Sequence, residues 1–84
     1  MNKLEIIEKL TPIVRRCMQD ETLVLQDDMS AATVSTWTSM AFMQMLTDIE
    51  NEFGIKFKMM ELLRFKTMGD IILSIETHMV DIGG

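Results

Sequence analysis

The chain is poor in the residues that build reactive or cross-linked sites. It has one cysteine, Cys17, and one histidine, His78. A lone cysteine excludes an internal disulfide framework and suits a reducing cytoplasm. One Cys and one His leave a zinc site without its usual ligands, so neither a metal site nor a catalytic residue is expected. Basic charge is also scarce: eight Lys and Arg stand against thirteen Asp and Glu, for a net charge of −5. Phosphate backbones require clustered Lys and Arg, so a nucleic-acid partner is excluded. Arg15-Arg16 and Lys56/Lys58 are too sparse to line a groove. An acidic surface suits basic patches on other proteins instead. No apolar run reaches the roughly 20 residues of a membrane span. Met1 to Leu10 mixes charged with apolar residues and lacks a signal-peptide pattern. Strand alternation with hairpin turns is missing, as are internal repeats.

What is present is helical. Of 84 residues, 48% are hydrophobic, enough for one domain over residues 1–84 with one small core. Ten methionines are unusual. Met fills irregular cores, and it also makes adaptable binding surfaces. Asn2 and Glu5 read as a capping box for a first helix. Leu4, Ile7, Leu10, Val14 and Met18 recur at helical spacing, with Ile6, Ile13 and Cys17 beside them, over roughly residues 2–19. Pro12 predicts a kink or a break there. Residues 20–37 form a long connection, anchored by Leu23, Val24 and Leu25. A loop this long in a compact chain is usually functional.

The connection leads to Trp37, Thr38 and Ser39. A second helix is expected from about Ser39 to Phe53, with Met45, Ile49 and Phe53 facing inward and Phe42 and Leu46 flanking them. Asp48, Asn51 and Glu52 make a polar face, and Gly54 ends the helix. Ile55-Lys56-Phe57 reads as an extended connector, and Met59 to Arg64 as a short third helix. Thr67 and Asp70 cap a fourth. Its stripe of Met68, Ile71, Ile72, Ile75 and Met79 ends near Val80. The fold class is therefore all-α: three longer helices and one short one in a small bundle, with a long loop between the first two. A serine at a helix start meets free backbone N–H groups and a positive dipole end, a favourable place for a phosphate. Most serines there are only caps.

Three blocks in register give this serine more meaning: Thr38-Ser39-Met40, Ile49-Glu50-Asn51-Glu52-Phe53-Gly54-Ile55-Lys56-Phe57, and Thr67-Met68-Gly69-Asp70-Ile71. The chain resembles the phosphopantetheine-binding family of acyl and peptidyl carrier proteins, with motif content over residues 37–75. Trp37 directly before the triplet is similar to discrete carriers that work with separate enzymes. The resemblance implies the four-helix carrier bundle and no catalysis of its own. It implies 4′-phosphopantetheine, from coenzyme A, attached to Ser39 and flanked by Trp37, Thr38 and Met40. Its thiol would hold an acyl or aminoacyl thioester. The implied partners are a phosphopantetheinyl transferase, an acyl or aminoacyl ligase, and an acyltransferase or synthase, met by a monomer. Met40, Phe42, Met43 and Thr47 are the candidate docking surface. Met45, Ile49, Phe57, Leu62 and Ile71 are the candidate lining of an apolar acyl pocket.

The chain departs from the family at the triplet. Thr38 stands where the family has aspartate, keeping a cap but losing a negative charge. Met40 replaces leucine at similar volume. Ala41 and Gln44 stand where acids are frequent, which shifts docking toward Met40, Phe42 and Met43. Two other readings compete. One is a carrier-derived helical adaptor in which Ser39 is never modified. The other is a ubiquitin-like modifier ending in Gly83-Gly84, against which the helical stripes of the first and last helices argue.

Overall fold

A computed structural model describes residues 2–83. It holds four helices: α1 (Lys3–Met18), α2 (Ser39–Phe53), α3 (Met59–Arg64) and α4 (Met68–Gly83), with no strand among the described residues. One apolar cluster joins them. Ile6, Leu10, Ile13, Val14 and Met18 of α1 meet Met45, Ile49 and Phe53 of α2 and Met68, Ile71, Ile72 and Ile75 of α4. Helix α3 has no buried residue of its own and lies at the margin.

The start of α1 is capped as its sequence predicts. Glu5 N–H donates to the Asn2 side chain at 2.9 Å, and Asn2 N–H donates back to Glu5 at 3.4 Å. Two expectations for this helix need correction. Pro12 does not break it; α1 is continuous through that residue. The proline removes one N–H and so orphans the Glu8 carbonyl, but both residues are solvent-exposed, where an unpaired carbonyl costs little. Leu4 is not in the stripe; it is 73% exposed, and Ile6 takes the inward place. Gln19 ends the helix in the left-handed region at φ 56°.

In the long connection, Leu23 and Leu25 pack on the core, whereas Val24 turns out to solvent. Met29 and Trp37 are buried and serve as its deeper anchors. Two backbone bonds fasten the loop to the start of α4: Met68 N–H donates to Met29 O, and Gly69 N–H to Asp27 O, each at 2.8 Å. Helix α2 has the predicted bounds and the predicted inward face. Asp48 is not part of a solvated face, however. It turns toward α1, where Arg16 donates to it at 3.2 Å and the Cys17 thiol at 3.6 Å. Gly54 closes α2 in the left-handed region at φ 66°. Helix α4 runs on past Val80 to Gly83, and Gly84 of the Gly-Gly ending lies outside the described residues.

The two glycines at the helix boundaries make different demands. A Cβ on Gly54 would touch nothing within 4 Å, so only its backbone angle is special. A Cβ on Gly69 would stand 3.0 Å from the Asp27 carbonyl oxygen, so the loop itself would have to move. Gly54→Ala is expected to cost about 1 kcal/mol, from conformational strain. Gly69→Ala is expected to cost more, about 1–3 kcal/mol, from overpacking. Urea unfolding of the two variants checks the order, and an unchanged midpoint for Gly69→Ala would mean the loop is not clamped there.

Candidate functional site

The start of α2 is built by Thr38. Its side chain accepts the Ala41 N–H at 3.1 Å and its carbonyl accepts the Phe42 N–H at 2.9 Å. The N–H groups of Ser39 and Met40 remain free at the positive end of the helix dipole. No acidic side chain lies in the first turn. Ser39 is exposed there, so its hydroxyl is open to a partner enzyme. Trp37 is buried directly behind it and stacks on Phe42, with ring centroids 6.2 Å apart and planes 23° apart. The ring is the packing anchor of the site.

A groove of about 230 Å³ opens beside the serine, lined by Ala31, Trp37, Thr38, Ser39, Phe42, Phe65 and Lys66. This lining contains no carboxylate and no imidazole. Ser39 therefore has no general base from its own surroundings, and its activation must come from outside. Cys17 supplies no alternative nucleophile. Burial, with the neighbouring Asp48 carboxylate, pushes its thiol up from its ordinary value and keeps it protonated.

The candidate docking residues divide. Met40 and Met43 stand 84% and 68% exposed along α2. Thr47 is exposed too, with its hydroxyl bonded back to the Met43 carbonyl at 3.1 Å. Phe42 is half-buried against Trp37 and contributes only its outer edge. Of the five candidate acyl-pocket residues, Met45, Ile49 and Ile71 are fully buried in the core cluster. Phe57 and Leu62 are half-buried beside it. None of the five lines the groove at Ser39 or the larger cleft between α3 and α4.

That larger cleft holds a group that periodicity could not reveal. Its volume is about 420 Å³, and Glu61, Ser74 and His78 converge in it. Both carboxylate oxygens of Glu61 lie 2.9 Å from His78 Nε2, and the Ser74 hydroxyl donates to the same carboxylate. Glu61 also accepts the Lys58 N–H at 2.8 Å, closing the start of α3. The Phe57 ring packs edge-on against His78 and Phe65. The carboxylate sits between serine and imidazole, so His78 does not reach the Ser74 hydroxyl and the three do not form a Ser–His–acid relay. The cluster ties α3 to α4. Glu50 acts similarly one connection earlier, accepting the Phe57 N–H at 2.8 Å. Glu61 is on α3 while Ser74 and His78 are on α4, so only the fold brings them together.

Burial alone would raise the Glu61 pKa. The bonds from Ser74, the Lys58 N–H and His78 outweigh it and hold the carboxyl below its ordinary range. Its stabilising contribution is therefore complete above the ordinary glutamate value and is lost as pH falls through the lower folded value. Glu61→Gln should lose on the order of 1–2 kcal/mol at neutral pH and show a flatter decline in acid. Thermal unfolding of both proteins from neutral into acid pH tests this, and parallel curves would contradict it.

Residues 37–75 match the phosphopantetheine attachment site family. The match begins at Trp37 and includes Ser39, Phe65 and Lys66 of the groove; of the α3–α4 cluster it includes Glu61 and Ser74, and His78 lies beyond it. Among solved structures, the chain is similar to a holo acyl carrier protein from Geobacter metallireducens. The two are 29% identical, with a TM-score of 0.82, over 89% of this chain and 86% of that one. No curated protein matches in sequence. The exposed serine at a helix start, without an acid in the first turn and with Lys66 beside it, fits a covalently held phosphodiester. The matched segment and the likeness to a holo acyl carrier protein support an acyl or peptidyl carrier, a non-catalytic protein that meets carrier-processing enzymes and holds covalent 4′-phosphopantetheine.

Proposed function

We propose that Ser39 is the attachment residue and that residues 1–84 act as one carrier domain. The observation that carries this is the exposed Ser39 hydroxyl at the head of α2, inside the matched segment, in a groove without a base of its own. A phosphopantetheinyl transferase then acts on it. The serine oxygen bonds to the phosphorus of coenzyme A that bears the pantetheine, adenosine 3′,5′-bisphosphate leaves, and a base of the transferase takes the hydroxyl proton. The thiol of the attached group supplies the thioester that holds an acyl or aminoacyl cargo. Tethering raises the cargo's effective concentration at each enzyme it visits.

The chain's own residues orient and present. Thr38 keeps the helix start formed, and Trp37 fixes the approach of the loop. Met40 and Met43 offer an apolar docking edge, with the outer edge of Phe42 and Thr47 beside them, to a transferase, a ligase and an acyltransferase or synthase. The exposure of the two methionines supports this, as does the lack of acids in the first turn of α2. Met45, Ile49, Phe57, Leu62 and Ile71 would line an apolar shelter for cargo only after α3 shifts, since three of them are sealed in the core. The peripheral position of α3, without a buried residue, supports such a shift. We read the protein as a cytoplasmic monomer. The single cysteine, unpaired among the described residues, supports the compartment.

Incubation with coenzyme A and a broad-specificity transferase should raise the intact mass by one phosphopantetheine, and Ser39→Ala should abolish the gain. The second reading, an unmodified adaptor, is favoured by the neutral Thr38 and would be supported by an unshifted wild-type mass. Met43→Glu should slow transfer to partner enzymes about tenfold or more, the loss expected when a charge is desolvated at a docking edge. Its circular dichroism should be unchanged; equal transfer rates would remove Met43 from the docking surface.

A further inference from the structure

The groove beside Ser39 has two chemically distinct parts. One is cationic: Lys66 lines it together with Ser39, whose N–H is free at the head of α2. The other is aromatic: Trp37, Phe42 and Phe65 form an apolar floor. Such a lining has a recognisable complement, an anion bonded directly to a compact apolar group. The phosphopantetheine arm has that order. Its phosphate is followed by a methylene and then by a quaternary carbon bearing two methyl groups. Only beyond these come the hydroxyl and amides. The groove's 230 Å³ falls below the roughly 300–1,000 Å³ of a site for a whole drug-sized ligand. It matches the first part of the arm and leaves the thiol end outside.

Charge at this site points the same way. Thr38 brings no carboxylate next to the serine, and α2 has no acid in its first turn. Among the described residues, Lys66 forms no ion pair. Its nearest competitor is the Asp70 carboxylate. That carboxylate accepts the N–H groups of Lys66 and Thr67, each at 3.0 Å, and feels the Lys66 charge without forming an ion pair with it. Those bonds hold the Lys66 backbone at the groove while its ammonium stays available. Phe65 is held from behind by the Phe57 ring, edge-on at 5.1 Å, so the floor has a fixed wall.

We propose that this groove is the resting site of the proximal half of the arm. In it, the Lys66 ammonium meets the phosphodiester, and the Trp37, Phe42 and Phe65 rings cover the dimethyl carbon. The proposal rests on Ser39 as the anchor. In this chain the cation replaces what a carboxylate at position 38 would oppose: an attractive rim where an acid would repel the phosphate. A parked arm keeps the thiol beside the Met40 and Met43 edge instead of sweeping freely through solvent. Partner docking on that edge would release it.

The test uses holo protein, made with coenzyme A and a broad-specificity transferase and verified by intact mass. Nuclear Overhauser contacts from the arm's two methyl groups to the Trp37 and Phe65 rings are expected. Amide shifts between apo and holo protein should extend to Phe65 and Lys66. Lys66→Glu and Thr38→Asp should each remove these contacts while leaving the apo spectra folded, and added salt should weaken them in the wild type. Holo protein whose shifts stay within Ser39 and its chain neighbours, without methyl–ring contacts, would overturn the proposal. So would contacts that survive Lys66→Glu. An unchanged mass is a different failure: it removes Ser39 as anchor, and the parked arm with it.

Discussion

Two backbone hydrogen bonds hold the working face of this protein together. Met68 and Gly69, at the start of α4, donate to the carbonyls of Met29 and Asp27 in the long loop. Without them, the segment that leads to Ser39 would have only its apolar anchors, Leu23, Leu25, Met29 and Trp37. With them, the loop is fixed at the same end of the bundle where the α3–α4 connection brings Phe65 and Lys66. The head of α2 and the head of α4 then share one rim, and the groove beside Ser39 lies on it. The bonds need close approach, which explains glycine at position 69: any side chain would press on the Asp27 carbonyl.

Three carboxylates do comparable work on the return from α2 to α4. Glu50 holds the connector through the Phe57 N–H, Glu61 closes α3 and reaches Ser74 and His78, and Asp70 closes α4. Each accepts from backbone N–H groups that would otherwise lack a partner. This is why a short helix without buried residues of its own stays attached. It is also why α3 is the element best able to move. Its links are polar, at the surface and few, and local openings begin in such regions. The proposed shift of α3 would leave the packing of α1, α2 and α4 intact.

The sequence was legible where its signals were local. Asn2 and Glu5 name their own capping box, Thr67 and Asp70 theirs, and Gly54 its helix end. The stripes in α2 and α4 follow the period of the helix, so Met45, Ile49, Ile71 and Ile75 could be placed inside before any contact was known. Local rules also misled. Pro12 suggested a break, but tertiary packing of Leu10, Ile13 and Val14 on either side keeps the helix whole. Asp48 looked solvated, yet Arg16 and Cys17 of α1 draw it into the interface. Leu4 had the right period and the wrong end, lying where the helix outruns the core.

What the sequence determined by itself was the all-α class, the helix bounds apart from the end of α4, and Ser39 as the serine at the head of α2. These rest on interactions between residues a few positions apart, whose geometry the helix dictates. What only the tertiary structure decided was the surroundings of that serine. Lys66 and Phe65 stand beside Ser39 because α3 and α4 fold back across the loop. Glu61 meets Ser74 and His78 for the same reason, and Met45, Ile49 and Ile71 close on one another instead of leaving a cavity. Contacts between separate helices depend on how their faces pack, and no spacing along the chain carries that information.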